Sequence, residues 1–273
     1  MRYAISDLSF AQLPRTVRIR QITRETKTVS TFVLDTPLRA EPGQFLMVWV
    51  PGVDEKPISI AWPDPLAITV ARVGEWSGAL HQLKAGDLIG VRGPYGRPFR
   101  IAPGRAALLV GGGYGAAPLY YLASALKTRD QPFAVALGAR RVDDLIYIDR
   151  FQKLGVEVLL ATEDGSAGSP GFVTMVVEDY LAKRLHDSPT IYACGPEGLL
   201  VALHRLSRER GVPAQLSVER YMKCGFGICG QCALDDILTC IDGPVLDAEQ
   251  LDGKRDFGRF HRTATGRRMP VYE

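Results

Sequence analysis

The chain has 273 residues, 46% of them apolar, and a formal net charge of +3. That length suits about two domains, and so mild a charge lacks the strong basic footprint of a nucleic-acid binder. With no apolar run of about 18 residues, no membrane span is expected. Met1 to Ala11 show no apolar stretch behind basic residues, so no secretion signal is expected either.

In chain order, the first hundred residues read as short strands between Gly and Pro punctuation: Thr28 to Leu34, Phe45 to Val50, Ile58 to Ala61 and Leu66 to Val73. Little helical periodicity interrupts them, which predicts an antiparallel β-barrel over residues 1–103. Near Pro103 the pattern changes. Ala106 to Val110 is the continuous apolar run of a strand buried on both faces. It leads through a glycine loop, Gly111-Gly112-Gly113-Tyr114-Gly115, into a helical stretch from Ala116 to Lys127.

Further strands are predicted at Phe133 to Gly138, Val156 to Ala161 and Thr190 to Ala193. Helices are predicted around Leu145 to Leu154, Val173 to Leu185 and Glu197 to Arg210. That alternation predicts a doubly wound α/β domain over 104–215. A Gly- and Cys-rich module with a basic tail fills 216–273. From Gly253 to Glu273 there are six Lys or Arg against two Asp or Glu.

Four of the five cysteines form the pattern C-x4-C-x2-C-x7-C: Cys224, Cys229, Cys232 and Cys240. The first three have the spacing of a plant-type [2Fe–2S] loop. Gly225, Gly227 and Gly230 let such a loop turn tightly and aim backbone N–H groups at the sulfurs. A structural zinc site would also use four thiolates, but more often as two knuckles across a long spacer, without alternating glycines. Clustered cysteines argue against a disulfide framework, which staples distant loops, and fit a cytoplasmic protein.

Elsewhere, the strand–glycine loop–helix passage through Gly111, Gly112 and Gly113 suits a phosphate at a helix N-terminus. Tight packing alone could also require those glycines. Cys194, with Gly195 and Pro196, falls at the carboxyl end of a predicted strand, where open α/β sheets bind ligands. A small buried side chain would look the same. His81, His186, His204 and His261 show no pairing in sequence, and solvated or capping roles are expected of them.

Taken with these motifs, nearly the whole chain resembles the electron-transfer subunits of NAD-linked (B-type) dihydroorotate dehydrogenases, in the ferredoxin–NAD(P) reductase superfamily. Lys56-Pro57-Ile58-Ser59 resembles the family's Arg-Pro-Ile-Ser flavin segment. Val70-Ala71-Arg72 and Gly74-Glu75-Trp76-Ser77 resemble its next two FAD-contacting stretches, the second normally ending Gly-Thr. Gly93 to Phe99 resembles its barrel-closing turn. Gly111 to Leu119, Thr162 to Ser166 (with Glu163 and Asp164) and Cys194-Gly195-Pro196 resemble its nicotinamide-nucleotide site. Lys56, Trp76-Ser77, Tyr114 and Ala117 depart from the usual residues.

The resemblance implies an oxidoreductase subunit of pyrimidine biosynthesis with FAD, a [2Fe–2S] cluster and NAD. It also implies an FMN-containing catalytic partner in a two-plus-two complex. Lys56 and Arg72 would hold FAD phosphate, and Ser59 would bond near the reacting edge of the flavin. Flavin fits between NAD, which moves hydride, and a cluster that takes single electrons. Subunits of sulfhydrogenases, sulfite reductases and bifurcating transhydrogenases carry the same three modules and remain an alternative. So does a scaffold subunit whose flavin site has decayed. No residue here suits acid or base chemistry on dihydroorotate.

Overall fold

The computed structural model describes residues 13–184 and 189–271; Met1 to Ala11, Leu185 and His186 lie outside the described residues. Six strands close a barrel in the order β1-β2-β5-β4-β3-β6: β1 (Arg15–Arg24), β2 (Val29–Leu34), β3 (Phe45–Val50), β4 (Asp54–Pro63), β5 (Leu66–Ala71) and β6 (Leu88–Tyr95). Adjacent strands all run antiparallel. Along β1, Val17 and Ile19 are buried while Thr16, Arg18 and Arg20 face solvent, the alternation of a half-buried strand. Phe32, Leu46, Ile60, Ile68 and Ile89 fill the interior.

One barrel element departs from the sequence expectation. Glu75–Gln82 is a helix, α1, which the strand reading of residues 1–103 did not include. It opens on Gly74, and the Ser77 hydroxyl closes the turn by accepting from the Val73 and Gly74 N–H groups, both at 2.9 Å. Trp76 and Leu80 anchor it to the barrel.

The second sheet has the order β10-β9-β8-β7-β11-β12-β15. Its strands are β7 (Ala107–Gly112), β8 (Phe133–Ala139), β9 (Glu157–Thr162), β10 (Ser169–Pro170), β11 (Thr190–Cys194), β12 (Ala214–Ser217) and β15 (Val245–Asp247). All pair in parallel except β15, which is antiparallel to β12. Between them run α2 (Ala116–Thr128), α3 (Ile148–Gln152), α4 (Val173–Lys183) and α5 (Glu197–Arg210). Two apolar layers cover the sheet. Leu109, Leu119, Leu122 and Phe151 pack on one face, and Val177, Leu200, Leu203 and Leu216 on the other.

The expected boundary after Gln215 falls inside β12, and β15 carries the third module back onto the sheet edge. The rest of that module comprises a hairpin of β13 (Ala233–Leu234) and β14 (Ile237–Leu238), the short helices α6 (Thr239–Asp242) and α7 (Ala248–Leu251), and a hairpin of β16 (Phe260–Arg262) and β17 (Arg268–Pro270). A further apolar layer joins this module to the barrel: Phe45, Met47 and Tyr95 pack with Met222, Cys232 and Cys240. Among the described residues, no helix is long and apolar enough to cross a membrane.

Candidate functional site

A cleft of about 610 Å³ opens where the barrel, the sheet and the third module meet, within the usual size range of ligand sites. From β4 come Lys56, Pro57, Ile58 and Ser59; from β5 come Val70 and Ala71; the first turn of α1 adds Trp76 and Ser77. Each is a residue that the family resemblance assigns to a flavin nucleotide. Arg72 is not among the lining residues, although its backbone N–H bonds Thr28 at 2.8 Å and ends the β2–β5 pairing.

Lys56 is committed within the protein. Its Nζ contacts the Asp54 carboxylate and lies 3.2 Å from the Tyr221 hydroxyl, above the tyrosine ring. Burial opposes its charge, but those two partners hold its pKa above the ordinary lysine value.

The cleft fits FAD on two observations. The N-terminus of α1 reaches its wall, and a helix start carries free N–H donors for an anion. Trp76 also carries a buried indole N–H with no acceptor in the protein.

Opposite lie Tyr114, Gly115, Ala117 and Pro118 of the β7–α2 passage, and Cys194 at the end of β11. Gly112 packs on Pro196 so tightly that a Cβ there would stand 2.7 Å from the proline Cδ, so the two turns interlock. Gly111 likewise backs on Leu137 and Ala116, and Gly113 takes φ 53°, facing open space. Both turns sit at the carboxyl ends of parallel strands, the usual place for a nucleotide in such a sheet. Glu163 and Asp164 lie further off, in the exposed turn after β9. There Ser166 donates to Asp164 and holds its carboxyl below the ordinary value. Burial pushes the Cys194 thiol up to about 12, with the Glu219 charge adding to it.

The segment after β12 supplies cleft residues that the motifs did not point to: Glu219, Arg220, Tyr221 and Met222. The rule that ligands meet strand carboxyl ends would have found them, since β12 runs parallel to β11. Glu219 is exposed to the cleft, yet the protein crowded around its carboxyl pushes it up to about 7, with repulsion from Glu197 second. Arg220 is spent on Glu197, bonding its two carboxylate oxygens at 2.6 and 2.9 Å. Glu197 in turn accepts from the Gly258 N–H at 2.7 Å and so pins the tail.

Beyond Met222 the chain enters the cysteine loop. Gly225, Gly227 and Gly230 take φ values of 82°, 85° and 68°, the left-handed region the loop was expected to need. Among the described residues, no group of three or more His, Cys, Asp or Glu is placed to hold a single metal ion. The thiols instead come in two pairs, Cys224 with Cys229 and Cys232 with Cys240. A diiron cluster needs two such pairs, one per iron, whereas one zinc ion needs four thiolates around a single point.

Burial works against ionising Cys224. Even so, backbone N–H groups of Cys229, Phe226 and Ile228 bring it down to about 7. The bond from Cys240 brings Cys232 to about 7 as well, while Cys240 is pushed up by the same contact. N–H groups aimed at sulfur are what a cluster that gains negative charge on reduction requires. The donor set therefore fits [2Fe–2S].

The flanking apolar residues divide. Leu234 is fully buried, Phe226 packs on Tyr95, and Ile228 stands 78% exposed. In the tail, Lys254 bonds Asp236, and Arg268 bonds Asp256 at 2.8 Å. Arg255, Arg259 and Arg267 face solvent. His81 meets the Val70 carbonyl at 2.9 Å, and His204 pairs with Asp252 at 2.9 Å.

Residues 219–252 match the family model described as the iron–sulfur cluster binding domain of dihydroorotate dehydrogenase B. Residues 109–205 match the oxidoreductase NAD-binding domain. A probable electron transfer subunit of dihydroorotate dehydrogenase B (NAD(+)) from Methanothermobacter thermautotrophicus is 43% identical over 94% of this chain and 98% of its own length. Its counterpart in Methanocaldococcus jannaschii is 42% identical over 94% and 98%. Among solved structures, that of the NADH-dependent reduced ferredoxin–NADP oxidoreductase, solved for insight into flavin-based electron bifurcation, superposes with a TM-score of 0.77. It is 32% identical and covers 85% of this chain and 88% of that one. The FAD/NAD-binding domain of a nitric oxide dioxygenase from Vibrio cholerae shares the fold at 23% identity, with a TM-score of 0.64 over 72% and 94% of the two chains.

Proposed function

This chain belongs to the family of electron-transfer subunits of dihydroorotate dehydrogenase B, and we propose that it relays electrons between an FMN-containing catalytic subunit and NAD, in the cytoplasm. One observation carries the relay: Phe45 and Met222 line the cleft and also pack against Cys232 and Cys240. The flavin cleft and two of the cluster ligands therefore share one apolar cluster, the path the relay would use.

When bound, FAD and the [2Fe–2S] cluster supply the exchange between hydride pairs and single electrons. The protein positions them. The α1 N-terminus and Lys56 would face the FAD pyrophosphate, and Ile58, Ser59 and Val70 would form the pocket for its ring. Tyr114, Cys194 and Glu219 would meet a nicotinamide arriving from the β7–α2 side. Cys194 stays a neutral thiol, so it shapes that surface without acting as a nucleophile. Cys224 with Cys229, and Cys232 with Cys240, would each take one iron. Glu163 and Asp164, in the exposed turn after β9, would meet adenine-side hydroxyls, and their charge would disfavour the extra phosphate of NADP. The reading therefore specifies NAD.

Mixing the anaerobic, purified subunit with NADH and then NADPH, while following flavin absorbance, tests this reading. Rapid bleaching by NADH with a much slower response to NADPH is expected; no bleaching by either would contradict it.

A further inference from the structure

Arg92 lies on β6, only 7% exposed, and no motif marks it. Its Nε donates to one carboxylate oxygen of Glu55 on β4 at 2.6 Å, and its Nη2 to the other. Nη2 also donates to the Lys223 carbonyl at 2.9 Å, and Nη1 to the carbonyl of Cys224. The rings of Tyr95 and Phe226 each lie 5.7 Å from the guanidinium carbon. One side chain thus ties two barrel strands to the main chain of a cysteine of the loop. The planar fork matters, because a lysine cannot meet a carboxylate at two points and two carbonyls at once.

We propose that Arg92, with Glu55 as its counter-charge, sets the reduction potential of the iron–sulfur cluster through its charge beside the loop. The inference rests on the reading of Cys224, Cys229, Cys232 and Cys240 as a [2Fe–2S] site. Reduction adds one negative charge to such a cluster, and a charge held out of solvent is weakly screened. The Arg92 cation beside the loop favours the reduced form, and the Glu55 anion offsets it. The two side chains therefore act on the potential with opposite sign.

The test is a potentiometric titration of the purified holo-subunit followed by electron paramagnetic resonance. Arg92→Gln is expected to lower the midpoint potential, Glu55→Gln to raise it, and the neutral double variant to fall close to the parent. If both single variants shift the same way, or neither shifts, Arg92 is only a structural tie and the inference fails. Should a single variant lose its cluster, the double variant decides. A cluster with the parent's g-values and potential upholds the charge pair, and a lost or equally displaced cluster overturns it. A parent protein without any [2Fe–2S] signal would sink the functional reading as well, which separates the two failures.

Discussion

Gly115 lies against the carbonyl of Cys194 so closely that a Cβ at Gly115 would overlap that oxygen. Two turns expected to hold the nicotinamide nucleotide are therefore in backbone contact, and only glycine permits it. Gly115→Ala must part them, at a cost of about 1–3 kcal/mol for an overpacked site. The variant should melt at a lower temperature and show a raised KM for NADH with FAD still bound. An unchanged KM would mean that the nucleotide does not rest on this junction.

Cys229 is the exposed member of its thiol pair. Cys229→Ser should lose or strongly perturb the cluster, because one iron is left with a single thiolate. Flavin should remain, since its cleft is built from other elements. Iron and sulfide content beside the flavin absorbance decide it, and full iron content in the variant would remove Cys229 from the ligand set.

Glu219 gives the fold a pH dependence of defined sign. Its carboxyl titrates at about 7 in the folded chain against an ordinary value of 4.5. Between those values the native state holds more protons than the unfolded one. The associated stability is present in full below 4.5 and is lost as the pH rises through about 7. Tyr114 and Cys194 face the same carboxyl, and both are pushed up with it. Arg220 does not neutralise it, being paired with Glu197. Denaturant unfolding at a series of pH values should show stability falling across this window in the parent and a flatter profile in Glu219→Gln. Identical profiles would place the titration elsewhere.

Lys56 must leave Asp54 to meet a pyrophosphate, which sets two opposed expectations. Lys56→Ala should weaken FAD retention by about 1.5–3 kcal/mol, the range for a bond to a charged group. Asp54→Asn, by freeing the lysine, should tighten it. Flavin release measured by fluorescence checks both, and unchanged affinity in both variants would show that Lys56 does not touch phosphate.

Ile228, exposed on the cysteine loop near the half-exposed Ile241, offers an apolar contact to the catalytic partner. Ile228→Asp should weaken association on a sizing column while leaving NADH-driven flavin reduction in the isolated subunit intact. If the full complex persists and dihydroorotate still reduces NAD, docking occurs elsewhere.

The parts that repeat a pattern were legible in the sequence. Phe45–Val50, an apolar run between Gly43 and Pro51, and the helix Glu197–Arg210 have in the structure the limits read from the sequence. The helix at Glu75–Gln82 was not, since it is short and starts on a glycine with no side-chain cap before it. Nor could spacing show that Val245–Asp247 would return to the edge of the second sheet, which depends on contacts far apart in the chain. The cysteines announced themselves by their local ligand spacing. Glu219 and the Arg92–Glu55 pair did not, because a carboxylate on a cleft wall and an ion pair between strands leave no local signature.

Anaerobic addition of NADH to the purified subunit, with iron, sulfide and FAD content known and the cluster followed by electron paramagnetic resonance, tests the relay most directly. Two irons, two sulfides and one FAD per chain are expected, with the reduced [2Fe–2S] signal developing after flavin bleaching. One zinc per chain without iron, or a cluster that stays oxidised while the flavin is fully reduced, would contradict it.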